Sequence, residues 1–211
     1  LMGRKLYGEL RDSLMKDFFS VVPAELIHDF KKSENRVIWR NGSEIIFRHL
    51  DTVSENELKS LNLGWFFIDQ AEEIGHNVWQ ILQSRLRLNT VPNRFGFIVC
   101  NPAPGGWIDK TFRKPILENK QTSEYDLIEA TSYENPYLPP DYIPTLLASY
   151  PEEMIKRYIE GSWDFLEDQI YHEFDYKVHR IILFKLPKGW ERIVAVVHGL
   201  VNPTAALWAS I

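Results

Sequence analysis

Two continuous apolar runs in the chain each end in a group of polar residues. Residues 65–68 (Trp-Phe-Phe-Ile) lead directly into Asp69, and residues 95–100 lead into Asn101. Runs of this kind, rich in aromatic and β-branched side chains, are typical of strands buried on both faces of a parallel sheet. Between them, apolar residues recur at helical spacing over residues 77–88. The pattern therefore predicts a strand–helix–strand unit whose polar loops lie at one rim of the sheet.

The part of the chain before this unit shows a helical pattern and then a hairpin pattern. Apolar residues four positions apart predict an amphipathic helix over residues 5–20. The basic residues near it, including Arg4, are assigned to a solvated face, with a phosphate contact as the alternative. The dipeptide Asn41-Gly42 lies between two apolar runs and favours a two-residue hairpin turn, because both turn positions take positive φ. A capping-box pattern predicts a short helix over residues 54–61.

The rest of the chain is predicted to contain helices and one strand at first, and only strands near its end. Its predicted elements are helices over residues 108–114, 140–149 and 151–160 and a third strand over residues 125–130. Three β-rich runs follow without helices between them, over residues 178–184, 192–197 and 204–210. Consecutive strands of this kind indicate antiparallel pairing. The change divides the chain into a first domain, residues 1–165, and a linker with the start of a second domain, residues 166–211.

The composition excludes some classes of function. The chain has 211 residues, and its formal net charge of −5 provides no global basic field to attract nucleic acid. A local basic cluster remains, made of Lys110, Arg113 and Lys114; a solvated surface is the simpler interpretation of it and DNA contact the alternative. The single cysteine, Cys100, excludes an internal disulfide. No apolar run approaches about 18 residues, so we expect no membrane span.

The acidic turn after the first apolar run is the strongest candidate for chemistry. An acid at the carboxyl end of a parallel strand lies where α/β sheets bind their ligands. In nucleotide-hydrolysing folds such an acid holds Mg²⁺, usually through water, and Glu72 or Glu73 nearby could orient the attacking water. The structural alternative is a strand that leaves the core through a polar turn. Arg85 and Arg87 either complement the dipole of the helix that follows or contact a phosphate of nucleotide or DNA.

Several ligand-binding motifs are absent from the sequence. Neither G-x-x-x-x-G-K-[ST] nor G-x-G-x-x-G occurs, so these residues contain no glycine-rich loop that could wrap a triphosphate in backbone N–H groups. There is no H-E-x-x-H motif and no cysteine cluster, and the six histidines show no metal-ligand spacing. Zinc chemistry therefore has no support.

Six motifs, in the same order along nearly the whole chain, resemble the large terminase subunit of tailed bacteriophages, the motor that packages DNA into a procapsid. The matching segments are residues 41–47 (the hairpin before the acidic strand), 67–74 (the Walker B strand and its exit), 85–87 (the arginine-bearing helix end), 99–102 (the coupling motif), 135–139 with 161–163 (the exit from the ATPase domain) and 202–206 (the start of the nuclease domain). The resemblance implies an α/β fold. It would be an incomplete P-loop NTPase core, a mostly parallel sheet with flanking helices, followed by the first β-hairpin of an RNase H-like nuclease domain.

The resemblance implies roles for the residues of the acidic turn. Asp69 would be the Walker B acid that holds the Mg²⁺ of bound ATP through water. The family often has glutamate directly after this acid as the residue that activates water. Here the position is Gln70, an amide that can orient water but cannot accept its proton. Either Gln70 orients the nucleophile, or Glu72 or Glu73 supplies the base.

The resemblance also implies a coupling loop and a nuclease position. Asn101, with Cys100 and Pro102 on either side, would sense the γ-phosphate and relay hydrolysis to the parts that grip DNA. Nuclease domains of this type hold two metals with carboxylates. Their first acid usually stands just before a glycine on the first strand, where this chain has His198 before Gly199. Imidazole replaces a bridging carboxylate poorly, so the second metal site of the nuclease is in doubt.

For a longer protein containing this sequence, the resemblance implies an ATP-driven motor that moves double-stranded DNA into the procapsid and cuts it into genome units. Its partners would be DNA, the portal protein, the small terminase subunit and further copies of itself in a ring, in the host cytoplasm and at the portal vertex. The family's P-loop precedes the helix that begins near Lys5, so we expect the 211 residues alone neither to hydrolyse ATP nor to cut DNA. The alternative is a non-catalytic DNA-binding or assembly module derived from the same fold.

Overall fold

The fold is taken from a computed structural model, which describes residues 1–120, 124–163, 184–197 and 205–210. The chain divides into two compact units, Leu1–Glu167 and Asp168–Ile211. The first unit is a mixed α/β structure built on one six-stranded sheet, and the described part of the second contains a two-stranded sheet. The predicted α/β fold with a mostly parallel sheet is confirmed.

The strands of the first unit are β1 (Met2–Arg4), β2 (Ile27–Lys31), β3 (Arg36–Trp39), β4 (Glu44–His49), β5 (Trp65–Ile68) and β6 (Phe95–Ile98). Their order across the sheet is β2-β3-β4-β1-β5-β6. β1 is parallel to both of its neighbours, β4 and β5, and β5 is parallel to β6. β2, β3 and β4 form an antiparallel meander. The carboxyl ends of β1, β5 and β6 therefore share one rim of the sheet.

The α-helices of the first unit are α1 (Tyr7–Glu9), α2 (Lys16–Val21), α3 (Glu55–Lys59), α4 (His76–Ser84), α5 (Lys114–Leu117), α6 (Tyr142–Ser149) and α7 (Glu152–Tyr158). Two π-helical segments adjoin them: Leu10–Met15 joins α1 to α2, and Asp109–Arg113 leads into α5. Short 3₁₀ helices lie at Ala24–Leu26, Lys32–Glu34, Ala71–Glu73 and Ser132–Glu134. The amphipathic helix predicted near the N-terminus is thus present with a π-helical centre. π-Helices are rare and occur frequently at functional sites.

The two faces of β5 belong to two apolar clusters. Phe66 and Ile68 are buried on one face, where α4 contributes Trp79 to the same cluster. Trp65 and Phe67 point to the other face and are partly buried against the cluster formed by the π-helical segment Leu10–Met15, α2 and the meander. This alternation follows from the two-residue period of a strand. The predicted burial of β5 on both faces is confirmed for the face of Phe66 and Ile68 and is partial on the face of Trp65 and Phe67.

The turn around Asn41-Gly42 differs from the two-residue turn that we predicted. Gly42 has a φ of 81°, but Asn41 is not among the residues with positive φ. The Gly42 N–H donates to the Trp39 carbonyl at 3.0 Å, and the Trp39 N–H donates to the Ser43 carbonyl at 2.9 Å. This pattern is a type I turn followed by a left-handed glycine, which forms a three-residue hairpin loop. Only the glycine therefore needs positive φ.

β6 is less buried than its apolar sequence predicts. Phe95 and Phe97 are 55% and 50% exposed, and their rings stack on Trp65 and Phe67 with centroid distances of 6.5 and 5.8 Å. Among the described strands, β6 pairs only with β5 and is the last strand of the sheet. The prediction of a second strand buried on both faces is therefore wrong, because one neighbouring strand cannot cover the outer edge of β6.

Residues 125–130 do not form the predicted third strand. The ring of Tyr125 instead packs against Phe112 and Trp79, at centroid distances of 5.3 and 5.9 Å. The Tyr125 hydroxyl accepts a hydrogen bond from Gln83 Nε2 at 2.8 Å. The apolar side chains of this segment are thus divided between the core and solvent, where Ile128 is 83% exposed. No described strand pairs with the segment.

The described part of the second unit is an antiparallel pair, β7 (Arg192–Val197) with β8 (Ala205–Ser210). The predicted antiparallel pairing of these two runs is confirmed. The strand predicted over residues 178–184 lies outside the described residues except for its last position, which is not in a strand. The boundary at residue 165 and the assignment of this unit to a nuclease domain stay predictions. Nowhere in the described part of the chain is there a helix with the length and apolar character needed to span a membrane.

The tight contact at Gly96 leads to a stability prediction. A Cβ atom added to Gly96 would lie 2.7 Å from both Cε atoms of the buried Phe66 ring. We expect Gly96→Ala to lower the free energy of unfolding by about 1–3 kcal/mol, as overpacked core substitutions do. Urea unfolding followed by circular dichroism measures the change. The control is Gly8→Ala, because a Cβ there meets no atom within 4 Å; an equal loss in both variants would contradict the prediction.

Candidate functional site

Asp69 stands directly after β5, at the rim where β1, β5 and β6 end. Its backbone N–H donates to the Gly3 carbonyl at 2.9 Å, so the ladder between β1 and β5 continues to this residue. The side chain is 25% exposed. The strand therefore holds the carboxylate at the edge where parallel sheets bind ligands.

Arg4, at the end of β1, places its guanidinium against this carboxylate. Its Nη1 atom donates to Asp69 Oδ2 and to Ser13 Oγ, both at 3.0 Å. Its Nε atom lies 3.3 Å from Glu9 Oε2, and the side chain is 14% exposed. Ser13 belongs to the π-helical segment Leu10–Met15. Assigning Arg4 to a solvated face was wrong; a signal for its role was its proximity in sequence to Ser13 and Glu9.

Gln70 reverses the chain direction after Asp69. It has left-handed dihedral angles, φ 51° and ψ 54°, a conformation that costs a non-glycine residue about 1–3 kcal/mol. The next N–H, of Ala71, donates to the Val99 carbonyl at 2.9 Å. This hydrogen bond ties the turn after β5 to the end of β6 and stabilises the unusual backbone.

Asn101 joins the loop after β6 to the turn after β5. Its side-chain Nδ2 donates to Gln70 Oε1 at 2.7 Å and to Glu72 Oε1 at 3.0 Å. Its backbone N–H donates to the same Glu72 oxygen at 3.1 Å. The structure thus brings Gln70, Glu72 and Asn101, all predicted from the sequence, into one hydrogen-bonded network.

Of the two alternative acids, only Glu72 takes part in this network. Glu72 Oε2 is buried and has no hydrogen-bond partner among the described residues, whereas Glu73 is exposed. Burial, and then the charge of Glu72, raise the pKa of the neighbouring Cys100 thiol to about 11. At neutral pH the thiol is therefore protonated and a poor nucleophile. Cys100 thus contributes packing rather than covalent chemistry.

Two further residues fix the loop after β6, and the sequence analysis missed both. Asp109 is 3% exposed, and its Oδ2 accepts the backbone N–H of Gly105 at 2.9 Å. Trp107 Nε1 donates to the Ile74 carbonyl at 2.8 Å, which links this loop to the exit of the acidic turn. Pro102, between them and Asn101, is buried. The available signal was an acid four residues after a glycine in a Pro/Gly-rich loop.

Arg85 and Arg87 lie at the other end of β5. Arg85 Nη1 donates to the Lys59 carbonyl at 2.7 Å, and Arg87 Nε donates to Asn62 Oδ1 at 2.6 Å. The Arg85 carbonyl accepts the N–H of Leu63, two residues before the strand begins. The structure therefore does not bring these arginines to Asp69. The contact with a DNA phosphate stays a prediction.

The basic cluster of Lys110, Arg113 and Lys114, which follows the loop after β6, is partly paired with acidic side chains. Arg113 lies 3.7 Å from Asp109 Oδ1 and 5.6 Å from the centroid of the Trp163 ring. Lys114 Nζ lies 3.7 Å from Asp109 Oδ2. Lys110 is exposed and has no ion pair within the described ranges. Its contact with DNA stays a prediction. The predicted nuclease position, His198, lies outside the described residues.

Asp69 is the residue that fits the predicted Mg²⁺. Arg4 engages Oδ2, whereas Oδ1 has no hydrogen-bond or ion-pair partner among the described residues. Within those residues, no group of three or more His, Cys, Asp or Glu side chains could hold a metal by itself. Mg²⁺ is typically bound by one or two carboxylates together with phosphate oxygens and water. The donor set therefore fits a nucleotide-bound Mg²⁺ rather than an all-protein cage.

Comparison with solved structures identifies the same fold in large terminases of two phages. The large terminase of a thermophilic bacteriophage, in complex with ADP, matches with a TM-score of 0.62 and 21% identity over 100% of this chain and 51% of its own. A second crystal form of that terminase gives a TM-score of 0.64 and 20% identity over 98% and 50%. The ATPase domain of a Thermus phage large terminase, as a point mutant, gives 0.51 and 12% over 77% and 75%.

The present chain spans about half the length of the thermophilic bacteriophage terminase chains it matches. No curated protein sequence matches it significantly. A family model described as phage terminase large subunit matches residues 1–160, well over half of the chain. The chain therefore belongs to the phage terminase large-subunit family.

Proposed function

We propose that this chain is the part of a terminase motor ATPase that carries the magnesium-binding acid and the coupling loop. The observation that supports this most is the meeting of two loops at one rim. Asp69 and Gln70 follow β5, and Asn101 follows β6 and hydrogen-bonds to Gln70 at 2.7 Å. In P-loop motors, the acid that holds Mg²⁺ and a group that orients water lie together in this way. Asp69 would hold the ion, which neutralises charge on the nucleotide phosphates.

The phosphate loop of the site would come from another part of a longer terminase chain. Among the described strands, none pairs with the outer edge of β6, beside which Phe95 and Phe97 are half exposed. A parallel strand that pairs with this edge would end at the same rim as Asp69, and its apolar side chains would cover the two rings. We propose that the strand leading into the phosphate loop occupies this edge.

The whole protein would then be an ATP-driven motor that moves double-stranded DNA into a procapsid and cuts it into genome units. Its DNA, portal, small-subunit and ring partners, its place in the host cytoplasm and at the portal vertex, and a metal-dependent nuclease are part of the same proposal. Family membership supports this assignment.

The second candidate function is a non-catalytic DNA-binding or assembly module built on the same fold. The ion pair between Arg4 and Asp69, at 3.0 Å, favours it, because the guanidinium neutralises the acid without a metal. Oxygen Oδ1 of Asp69 nevertheless stays available for a metal or its water. The two candidates therefore differ in whether a divalent ion with nucleotide binds at Asp69.

Metal binding at Asp69 can be tested with Mn²⁺·ATP, since Mn²⁺ accepts the same oxygen ligands as Mg²⁺. We expect the paramagnetic ion to broaden the backbone NMR signals of Asp69 and Gln70. Asp69→Asn should weaken binding about tenfold or more, because it removes the charge that attracts the ion. Asp141→Asn, at an exposed acid on another part of the first unit, is the matched control. If no broadening occurs at Asp69 even in a longer terminase chain that includes the phosphate loop, the non-catalytic module is the better assignment.

DNA contact by the basic cluster can be tested at Lys110, which is exposed and outside the ion pairs of Asp109. We expect Lys110→Glu to weaken binding to double-stranded DNA and to reduce the slope of log K against log salt by about 0.9, the value for one phosphate contact. A salt titration followed by fluorescence anisotropy measures both. Lys188→Glu, an equal charge change at an exposed site in the second unit, is the control. Equal effects of the two variants would indicate bulk charge rather than contact.

A further inference from the structure

The backbone N–H of Asn101 determines which atoms donate and which accept in the hydrogen bonds between Glu72, Asn101 and Gln70. Glu72 Oε1 accepts the backbone N–H of Asn101 at 3.1 Å, and a backbone N–H can only donate. The same oxygen lies 3.0 Å from the side-chain amide of Asn101. That amide must therefore turn its nitrogen toward Glu72.

The orientation of Asn101 determines that of Gln70. The second N–H of Asn101 Nδ2 points to the Gln70 side chain at 2.7 Å, so the atom of Gln70 that faces it must be the acceptor Oε1. Gln70 Nε2 is then turned away from Asn101. It has no hydrogen-bond partner among the described residues and is absent from the buried polar atoms that lack one. Gln70 thus presents an open N–H donor.

We propose that Gln70 binds the terminal phosphate of the nucleotide as a hydrogen-bond donor, and that Asn101 and Glu72 are positioning residues behind it. The inference rests on the proposed nucleotide site at Asp69. Both N–H groups of Asn101 that could contact a phosphate are used in the network. Only its oxygen Oδ1 remains, and an acceptor repels a phosphate oxygen. The γ-phosphate is therefore sensed by Gln70, and Asn101 receives the signal through it.

The same geometry excludes Gln70 as the general base. An N–H donor can hold a phosphate oxygen, or the lone pair of a water, but it cannot take the proton of an attacking water. Glu72 does not replace it in the observed conformation, because one carboxylate oxygen binds Asn101 and the other is buried. Gln70 and Glu72 therefore support recognition and positioning, and neither acts as the general base in this arrangement.

The predicted donor and acceptor directions in this network can be measured on the 211-residue chain without any ligand. Side-chain amide signals in ¹H–¹⁵N spectra, assigned by loss in Gln70→Glu and Asn101→Asp, report hydrogen exchange with water. We expect the Asn101 NH₂ pair to exchange about tenfold or more slowly than the Gln70 pair, because both of its protons are hydrogen-bonded. A protected Gln70 pair beside a rapidly exchanging Asn101 pair would overturn the proposal.

Asn101→Asp tests whether Asn101 orients the side-chain amide of Gln70. A purely structural role for Asn101 predicts no change in the hydrogen exchange of that amide. An aspartate places an acceptor opposite both Gln70 and Glu72 Oε1. The two carboxyl groups must then share a proton, and Gln70 must rotate its amide to donate inward. We expect the Gln70 pair to become slowly exchanging and its response to Mg²⁺·ATP to disappear. If the response of Gln70 is the same as in the native chain, Asn101 does not position it.

Gln70→Glu tests the phosphate contact directly. The carboxylate keeps an acceptor toward Asn101 but replaces the outward donor with a negative oxygen. We expect the urea midpoint to be unchanged and the dissociation constant for Mg²⁺·ATP to rise about tenfold, because charge-assisted donation to phosphate is lost. Gln80→Glu, the same change at an exposed position of α4, should alter the dissociation constant less than about twofold.

Failure of this inference is distinguishable from failure of the proposed function. If Mn²⁺·ATP broadens Asp69 but Mg²⁺·ATP does not shift the native Gln70 amide, the phosphate contact is overturned and the nucleotide site stands. If Mn²⁺·ATP leaves Asp69 unbroadened in a longer terminase chain that includes the phosphate loop, the nucleotide site itself is overturned, and phosphate is no longer the ligand of Gln70.

Discussion

The register of β5 between β1 and β6 is the constraint on which the candidate site depends. Gly3 is level with Ile68, and Ile68 is level with Ile98. Three strands therefore end together, and the residue that follows each strand segment reaches the same rim. A slip of one residue would exchange the two faces of β5 and remove Asp69 from its ladder partner. The apolar side chains on both faces of β5 oppose such a slip, so core packing and site geometry have the same cause.

The residues that follow these strands are held by backbone as well as side-chain hydrogen bonds. The N–H of Asp69 reaches β1, and the N–H of Ala71 reaches the carbonyl of Val99 after β6. These two bonds hold the acidic turn from opposite sides. The left-handed residue Gln70 lies between these two bonds, which offset its backbone strain. A rigid turn is a suitable support for side chains that must keep one orientation.

Much of this arrangement follows from local sequence patterns. The run of residues 65–68 predicts β5, and the change from apolar to acidic residues predicts where it ends. β1 could not be predicted in the same way, because three residues with a central glycine carry no periodicity. The exposure of β6 depends on what pairs with its outer edge, and composition carries no information about that. Arg4 reaches Asp69 only through a tertiary contact across 65 positions, so this ion pair needed the structure, whereas the partners of Asp109 lie within five positions of it.

The outer edge of β6 has no partner among the described strands. An unpaired strand edge, flanked by half-exposed phenylalanine rings, offers open backbone donors and acceptors to any other strand it meets. Two copies of the chain can satisfy that edge in each other by a non-native antiparallel pairing. Wherever that edge is left uncovered, strand addition along β6 would compete with the parallel strand proposed to carry the phosphate loop.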